Sequence, residues 1–320
     1  MHMISLARGR WGADWSWRLI MLFRMGRYGR PVVLISVGIV LMVAVARGEP
    51  APRVVTIPER DYSAGFWGPY FRRLLELALE ATQDTHGPFE VRMWNVSTQS
   101  QDRELYELQQ GTGLDVVWSM TSRERERMLR PIRIPLVKGL LGYRIFLVRT
   151  GEESRFAAVT GLEGLGDWKA GQGTGWPDVD ILMGNGVSVV EGRDYEGLFG
   201  MLREGRFDYF PRGVTEVWDE VAGPLSGGLA VEPTLLLYYP TAVYFFVRPD
   251  AQDLAGRLEA GLERLLRDGR FDTLFLQYNG EALRRANLEG RRMMVLENPL
   301  LSPETPRHRQ ELWYHVGVQP

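Results

Sequence analysis

From Val54 onward, short apolar runs alternate with amphipathic ones, and that alternation restricts the chain to sheets covered by helices. Val54–Ile57 reads as a strand. Tyr70–Thr82 carries apolar residues at 71, 74, 75, 78 and 79, one face of a helix. Phe89–Trp94 alternates as a strand, and Asp102–Gln110 is helical up to Gly111. Asp115–Ser119 is a strand. Arg123–Arg130 is a charged helical turn ended by Pro131, and Gly142–Val148 is a strongly apolar strand. This order favours a mostly parallel sheet. The pattern restarts with a strand at Trp168–Gly171, a helix from Pro177 to about Met183, and a strand at Val187–Val190. A helix at Tyr195–Glu204 and a strand at Phe207–Phe210 complete a second α/β unit over 150–239. Val243–Val247 is another strand. Leu254–Arg267 is amphipathic, and Gly269 stands where a C-cap glycine belongs. The proline-containing stretch from Asn298 is expected to wrap the surface.

Ahead of this pattern lies a different signal. Arg24, Arg27 and Arg30 precede an uncharged apolar run, Val32 to Ala46, that closes on Ala44-Val45-Ala46. A basic region, an apolar region and an Ala-x-Ala site read as a secretory signal peptide cleaved after Ala46. A spanning helix needs ~20 apolar residues, more than this run holds. Residues 1–20 exceed an ordinary leader, so Met21 or Met25 is an alternative start. No cysteine follows the run, which excludes a lipid anchor there. The expected location is the periplasm.

Composition excludes several chemistries. There is no cysteine, so no disulfide, thiol nucleophile or cysteine-ligated metal. The four histidines, His2, His86, His308 and His315, have no metal-ligand spacing. The net charge of −2 is no footprint for nucleic acid. All but two of the 38 basic residues are arginine, and neither Lys138 nor Lys169 ends a phosphate-binding loop. Neither a metal nor a cofactor is expected. No Gly-x-Ser-x-Gly elbow or His-Glu-x-x-His motif is present, so no catalytic residues are assigned.

Three segments could bind a small molecule. Gly171-Gln172-Gly173-Thr174-Gly175-Trp176 fails the dinucleotide fingerprint but joins a strand to a helix start. Thr174 and the backbone amides near Gly175 and Trp176 could hold an anion there, or the turn could simply be tight. Trp118-Ser119-Met120-Thr121-Ser122-Arg123-Glu124-Arg125 follows a strand, the end at which α/β sheets bind ligands. The alternative is a solvated helix with internal ion pairs. Arg212 follows a third strand and could clamp a carboxylate, or lie on the surface. Trp67, Trp94, Trp118, Trp176 and Tyr209 could wall a cleft or fill the core.

The order of these pieces resembles the type II periplasmic solute-binding proteins, of the amino-acid (family 3) kind in ABC transport. Ser119 to Pro135 resembles that family's Thr-x-Thr-Pro-Glu-Arg segment, with Ser122-Arg123-Glu124-Arg125 as the nearest match. Leu162 to Thr174 resembles its Asp-Leu-Lys-Gly…Gly-Thr segment. Tyr195 to Asp208 and Tyr244 to Gly280 resemble its later helix–strand and closing strand–helix pieces. The resemblance implies an α/β fold of two Rossmann-like lobes joined by two hinge strands, Gly142–Val148 and Val243–Val247, with the ligand cleft between them. Lobe one would be 47–149 plus 240–297, lobe two 150–239, and 298–320 a tail.

The resemblance also implies ligand contacts from Trp118, Ser119, Thr121, Ser122, Arg125, Thr174, Gly175, Trp176 and Arg212, with Arg125, Thr174 and Arg212 converging on an acidic group. The spacing departs by one residue, so Arg123 and Arg127 stay open as alternatives to Arg125. The acid that the family often places five residues after Asp208 is Gly213 here. That absence favours an anionic ligand over an ordinary amino acid. The implied protein is a monomer that captures a small molecule and hands it to a membrane permease of an ABC transporter. A sensor of the same fold, or a dehydratase-like enzyme, is the alternative.

Overall fold

The computed structural model describes residues 51–59, 67–95 and 101–317. The leader and its cleavage site lie outside the described residues, as does the side chain of Trp67. Residues 53–132 form β1 (Arg53–Glu59), α1 (Trp67–Ala81), α2 (Gln83–His86), β2 (Phe89–Asn95), α3 (Gln101–Gln110), β3 (Val117–Met120), α4 (Arg123–Met128) and β4 (Arg130–Ile132). Then come β5 (Tyr143–Arg149), β6 (Lys169–Gly173), α5 (Pro177–Gly184), β7 (Ser188–Gly192), α6 (Tyr195–Arg203), β8 (Phe210–Gly213), α7 (Val217–Ala222), β9 (Leu229–Val231) and β10 (Leu235–Tyr238). The chain closes with β11 (Val243–Val247), α8 (Gln252–Asp268), α9 (Arg270–Ala286) and β12 (Arg292–Val295).

Pairing is mixed, which corrects the expectation of a mostly parallel sheet. β1 pairs with β2, β6 with β7 and β10 with β12, all in parallel. The remaining strand pairs are antiparallel. β11 lies between β3 and β4, so Phe245 faces both Trp118 and Ile132. β5 runs antiparallel to β8, β9 and β10. Periodicity marks a strand but not its partner, and β11 arrives from more than a hundred residues away to split β3 from β4. The two expected hinge strands are the centres of their sheets. The chain passes between those sheets in the short stretches just before them, 133–142 and 239–242.

Burial explains the elements. α1 sets Phe71, Leu74, Leu75, Ala78 and Leu79 inward against Leu254, Leu258, Leu262 and Leu265 of α8. Gly261 permits that approach: a Cβ there would meet the Ala78 carbonyl oxygen at 2.2 Å. Gly269 ends α8 at φ 81, a left-handed backbone that glycine adopts without strain. The other half packs β5, α5, α6 and β8 around Phe146, Phe199, Tyr209 and Phe210. Tyr209, a possible cleft aromatic by sequence, is a core residue with no exposure.

Residues after Asn298 do more than wrap the surface. Leu301, Thr305 and Leu312 are buried, and Leu312 joins the α1–α8 core.

Candidate functional site

An open cavity of ≈ 240 Å³ lies between the two sheet systems. On one wall stand Phe71 of α1 and Trp118, Ser119 and Met120 of β3. On the other stand Arg144 of β5, Trp176 and Asp178 at the start of α5, Tyr195 of α6, and Arg212 of β8 with Glu216 beyond it. Five of these ten side chains come from strands and the other five from helices or the turns beside them.

Four of the residues singled out by sequence line the cavity: Trp118, Ser119, Trp176 and Arg212. Arg125 lies directly behind them. Ser122 caps α4 by accepting the Arg125 N–H at 3.2 Å, which fixes the turn. The Arg125 guanidinium then donates to Ser119 Oγ at 2.7 Å and to the Met120 carbonyl at 2.9 Å. Its other nitrogen is 3.6 Å from Asp102. Asp102 also comes within 3.8 Å of where a Gly175 Cβ would be, so an exposed carboxylate of this chain lies between Arg125 and the glycine turn. Thr121 is buried and donates to Glu126, not to the cavity. Thr174 and Gly175 are exposed and stand outside the lining, although Gly175 needs its φ of 79 to make the turn. Of the alternatives to Arg125, Arg123 points to the Leu301 carbonyl at 3.1 Å and Arg127 bonds back to the Arg123 carbonyl.

Arg212 occupies the wall in a way the sequence did not disclose. Its guanidinium donates to both oxygens of Glu220, at 2.8 and 3.0 Å, and pairs with Glu216 at 3.1 Å. Phe210, Trp176 and Tyr195 surround it, with ring centroids 4.8 to 5.6 Å away. Burial opposes its charge, but the Glu220 and Glu216 carboxylates outweigh that and hold its pKa above the ordinary arginine value. Its hydrogen-bonding face is therefore taken up by this chain's own acids.

Three charged residues of the cavity were missed. Arg144 was signalled by being the one charged residue in the apolar run Gly142–Val148. It contacts Asp178 at 2.7 Å and the Tyr239 hydroxyl at 2.8 Å, and lies 3.6 Å from Glu216. Asp178 stands in the first turn of α5, where its charge already complements the helix N-terminus that sequence reasoning reserved for a ligand anion. Glu216 folds back to accept the Gly213 N–H at 2.9 Å. A Cβ on Gly213 would meet this carboxylate at 2.7 Å, so Glu216 fills the space that an acid at position 213 would have used. The wall carries two arginines against Asp178, Glu216 and Glu220. It is not the electropositive surface that two unpaired arginines would make.

No family model matches the sequence, and no curated protein does. Solved structures match over most of the chain. An ancestral arginine-binding protein bound to arginine superposes with a TM-score of 0.51 at 18% identity, over 70% of this chain and 97% of its own. The arginine-specific periplasmic binding protein of Salmonella typhimurium gives 0.52 at 16% identity, over 71% and 99%. A periplasmic His/Glu/Gln/Arg/opine-family binding protein of Silicibacter pomeroyi, in complex with lysine, gives 0.52 at 14% identity, over 71% and 97%. The fold is that of the type II periplasmic binding proteins. At such identities the likeness carries the fold alone. Among the described residues, no group of three His, Asp or Glu is placed to hold a metal, and no helix is long and apolar enough to cross a membrane.

Proposed function

We propose that this chain is an exported solute-binding protein that captures a small amino-acid-like molecule between two lobes and delivers it to a membrane permease. The exported form begins at Arg47 and works in the periplasm as a monomer. Lobe one comprises 47–149 and 240–297, lobe two 150–239. Binding, without turnover, is the activity. The observation that carries the reading is the polarity of the cleft. Arg125 backs one wall through Ser119 and Met120, while on the other Asp178, Glu216 and Glu220 outnumber their partners Arg144 and Arg212 by one charge. A molecule with a carboxylate at one end and an ammonium at the other matches both. This replaces the purely anionic ligand favoured by sequence, because Arg212 is engaged by Glu220 and Glu216. The arginine and lysine bound by proteins of similar fold support the same class.

The test is a thermal-shift screen of the protein from Arg47 onward against amino acids and small dicarboxylates. A ligand that binds only the folded form raises the melting temperature by mass action. At least one amino acid is expected to do so, and dicarboxylates to do so less. Arg125→Ala is expected to weaken that ligand by ~2–5 kcal/mol, roughly thirtyfold to several thousandfold. A screen in which no amino acid and no small acid moves the melting temperature rejects the proposal.

A further inference from the structure

The segment Glu297–Val316 touches both sheet systems in turn. It leaves β12, which is paired to β10, and is first held beside α5: Asn185 and Glu297 exchange two hydrogen bonds of 2.8 and 2.9 Å. Asn298 then donates to the Pro240 carbonyl, inside one of the two stretches that pass between the sheets. The segment next crosses to the β3–β11–β4 side. The Arg123 N–H, at the start of α4, donates to the Leu300 carbonyl at 2.9 Å, and Arg123 Nε donates to the Leu301 carbonyl. Glu304 pairs with Arg133 at 2.7 Å, Arg309 pairs with Glu263 of α8, and Leu312 enters the α1–α8 core. It then returns. The Tyr314 N–H donates to the Lys138 carbonyl, in the other crossing stretch, and the Tyr143 hydroxyl of β5 donates to the Tyr314 carbonyl at 3.0 Å.

We infer that Glu297–Val316 is a strap that limits how far the cleft can open and holds α4, with Arg125 two residues beyond the strap's attachment, in its position behind the cleft wall. Hinge motion is absorbed by a few residues at element ends. Here both crossing stretches are tied to the strap, at Pro240 and Lys138, so a change of angle there must also stretch bonds to α4 and α8. The inference rests on the two-lobe reading proposed above. Its test needs no ligand, so its failure is separate from failure of the binding screen.

The chain has no cysteine, so Glu90→Cys and Glu196→Cys give a unique pair of spin labels, one on β2 and one on α6. Both sites are exposed. Ligand-free distance distributions are compared for the labelled chain, for the same chain with Arg123→Ala, Glu304→Ala and Arg309→Ala, and for one ending at Pro306. The intact chain is expected to give a narrow distribution. The two altered chains are expected to give broader distributions shifted to longer distance. Equal widths in all three, with cooperative melting retained, overturn the strap. Hydrogen exchange of the unaltered chain reads the same question without any variant. The amides of Arg123 and Tyr314 are expected to exchange as slowly as those of β11, and exchange at the rate of a frayed end overturns the strap.

Discussion

Arg212 shows how far a residue's role depends on its neighbours. As a bare position after a strand it suits a ligand clamp, and its removal would then leave the unliganded fold untouched. In the structure it pairs with Glu220 and Glu216 and is closed in by three aromatic rings. Removing one partner of a buried ion pair leaves uncompensated charge, typically a loss of about 3–5 kcal/mol. Arg212→Ala is therefore expected to lower unfolding free energy by that amount in urea titrations of the unliganded protein. A change under the lower bound would return Arg212 to the ligand-clamp role. Glu216 makes the complementary point. A position-by-position comparison finds glycine where an acid was sought, yet a carboxylate stands in that space, carried on a residue three places later. Arg144 and Asp178 were legible only as a charge in an apolar strand and an acid in a first helical turn. Their meeting at 2.7 Å depends on α5 lying over β5.

At the scale of elements, the helices were the most legible part. The apolar stripes of α1 and α8 located both within a few residues, and Gly269 marked the end of α8. Their mutual distance was not legible, because it is set by one missing side chain. Gly261→Ala would place a methyl 2.2 Å from the Ala78 carbonyl oxygen. Relieving such overpacking costs ~1–3 kcal/mol. The expected result is a lower melting temperature with ligand affinity unchanged, since α8 does not line the cleft. An unaltered melting temperature would mean that the helices separate freely. Arg257 is a second case. It sits on α8 like a solvated residue but is fully buried, where it donates to Thr82 Oγ1 and to the Leu79 and Gly87 carbonyls around the end of α1. Burial lowers its pKa, with nearby Arg53 adding to the effect. Strand partners were the least legible, as β11 shows. α9, β10 and β12 were not anticipated at all.

For the molecule as a whole, the charges in the cleft tie stability to pH. Burial alone would raise the Glu216 pKa, but Arg212, Arg144 and the Gly213 N–H hold it below the usual carboxylate range. A carboxylate lowered on folding contributes stability above its unfolded pKa, roughly 4.3. That contribution is lost as pH falls through the folded value. Urea melts taken from about pH 5 to about pH 3 are expected to show a shallower acid loss for Glu216→Gln than for the unaltered protein. Identical slopes would remove Glu216 from this account. The restart of the strand–helix pattern near residue 168 was readable, and β6, α5, β7 and α6 follow it in that order. The strap was not, because its bonds are mostly made by backbone carbonyls, which every residue carries. The placing of β11 between β3 and β4 has a consequence in time. During synthesis the chain emerges amino end first, and until residues 243–247 follow, β3 and β4 have no strand to join them. Completion of this sheet, and with it the wall formed by Trp118, Ser119 and Met120, must wait until three quarters of the polypeptide has left the ribosome. A nascent chain with such a late keystone keeps this sheet, and the cavity it walls, unfinished until then.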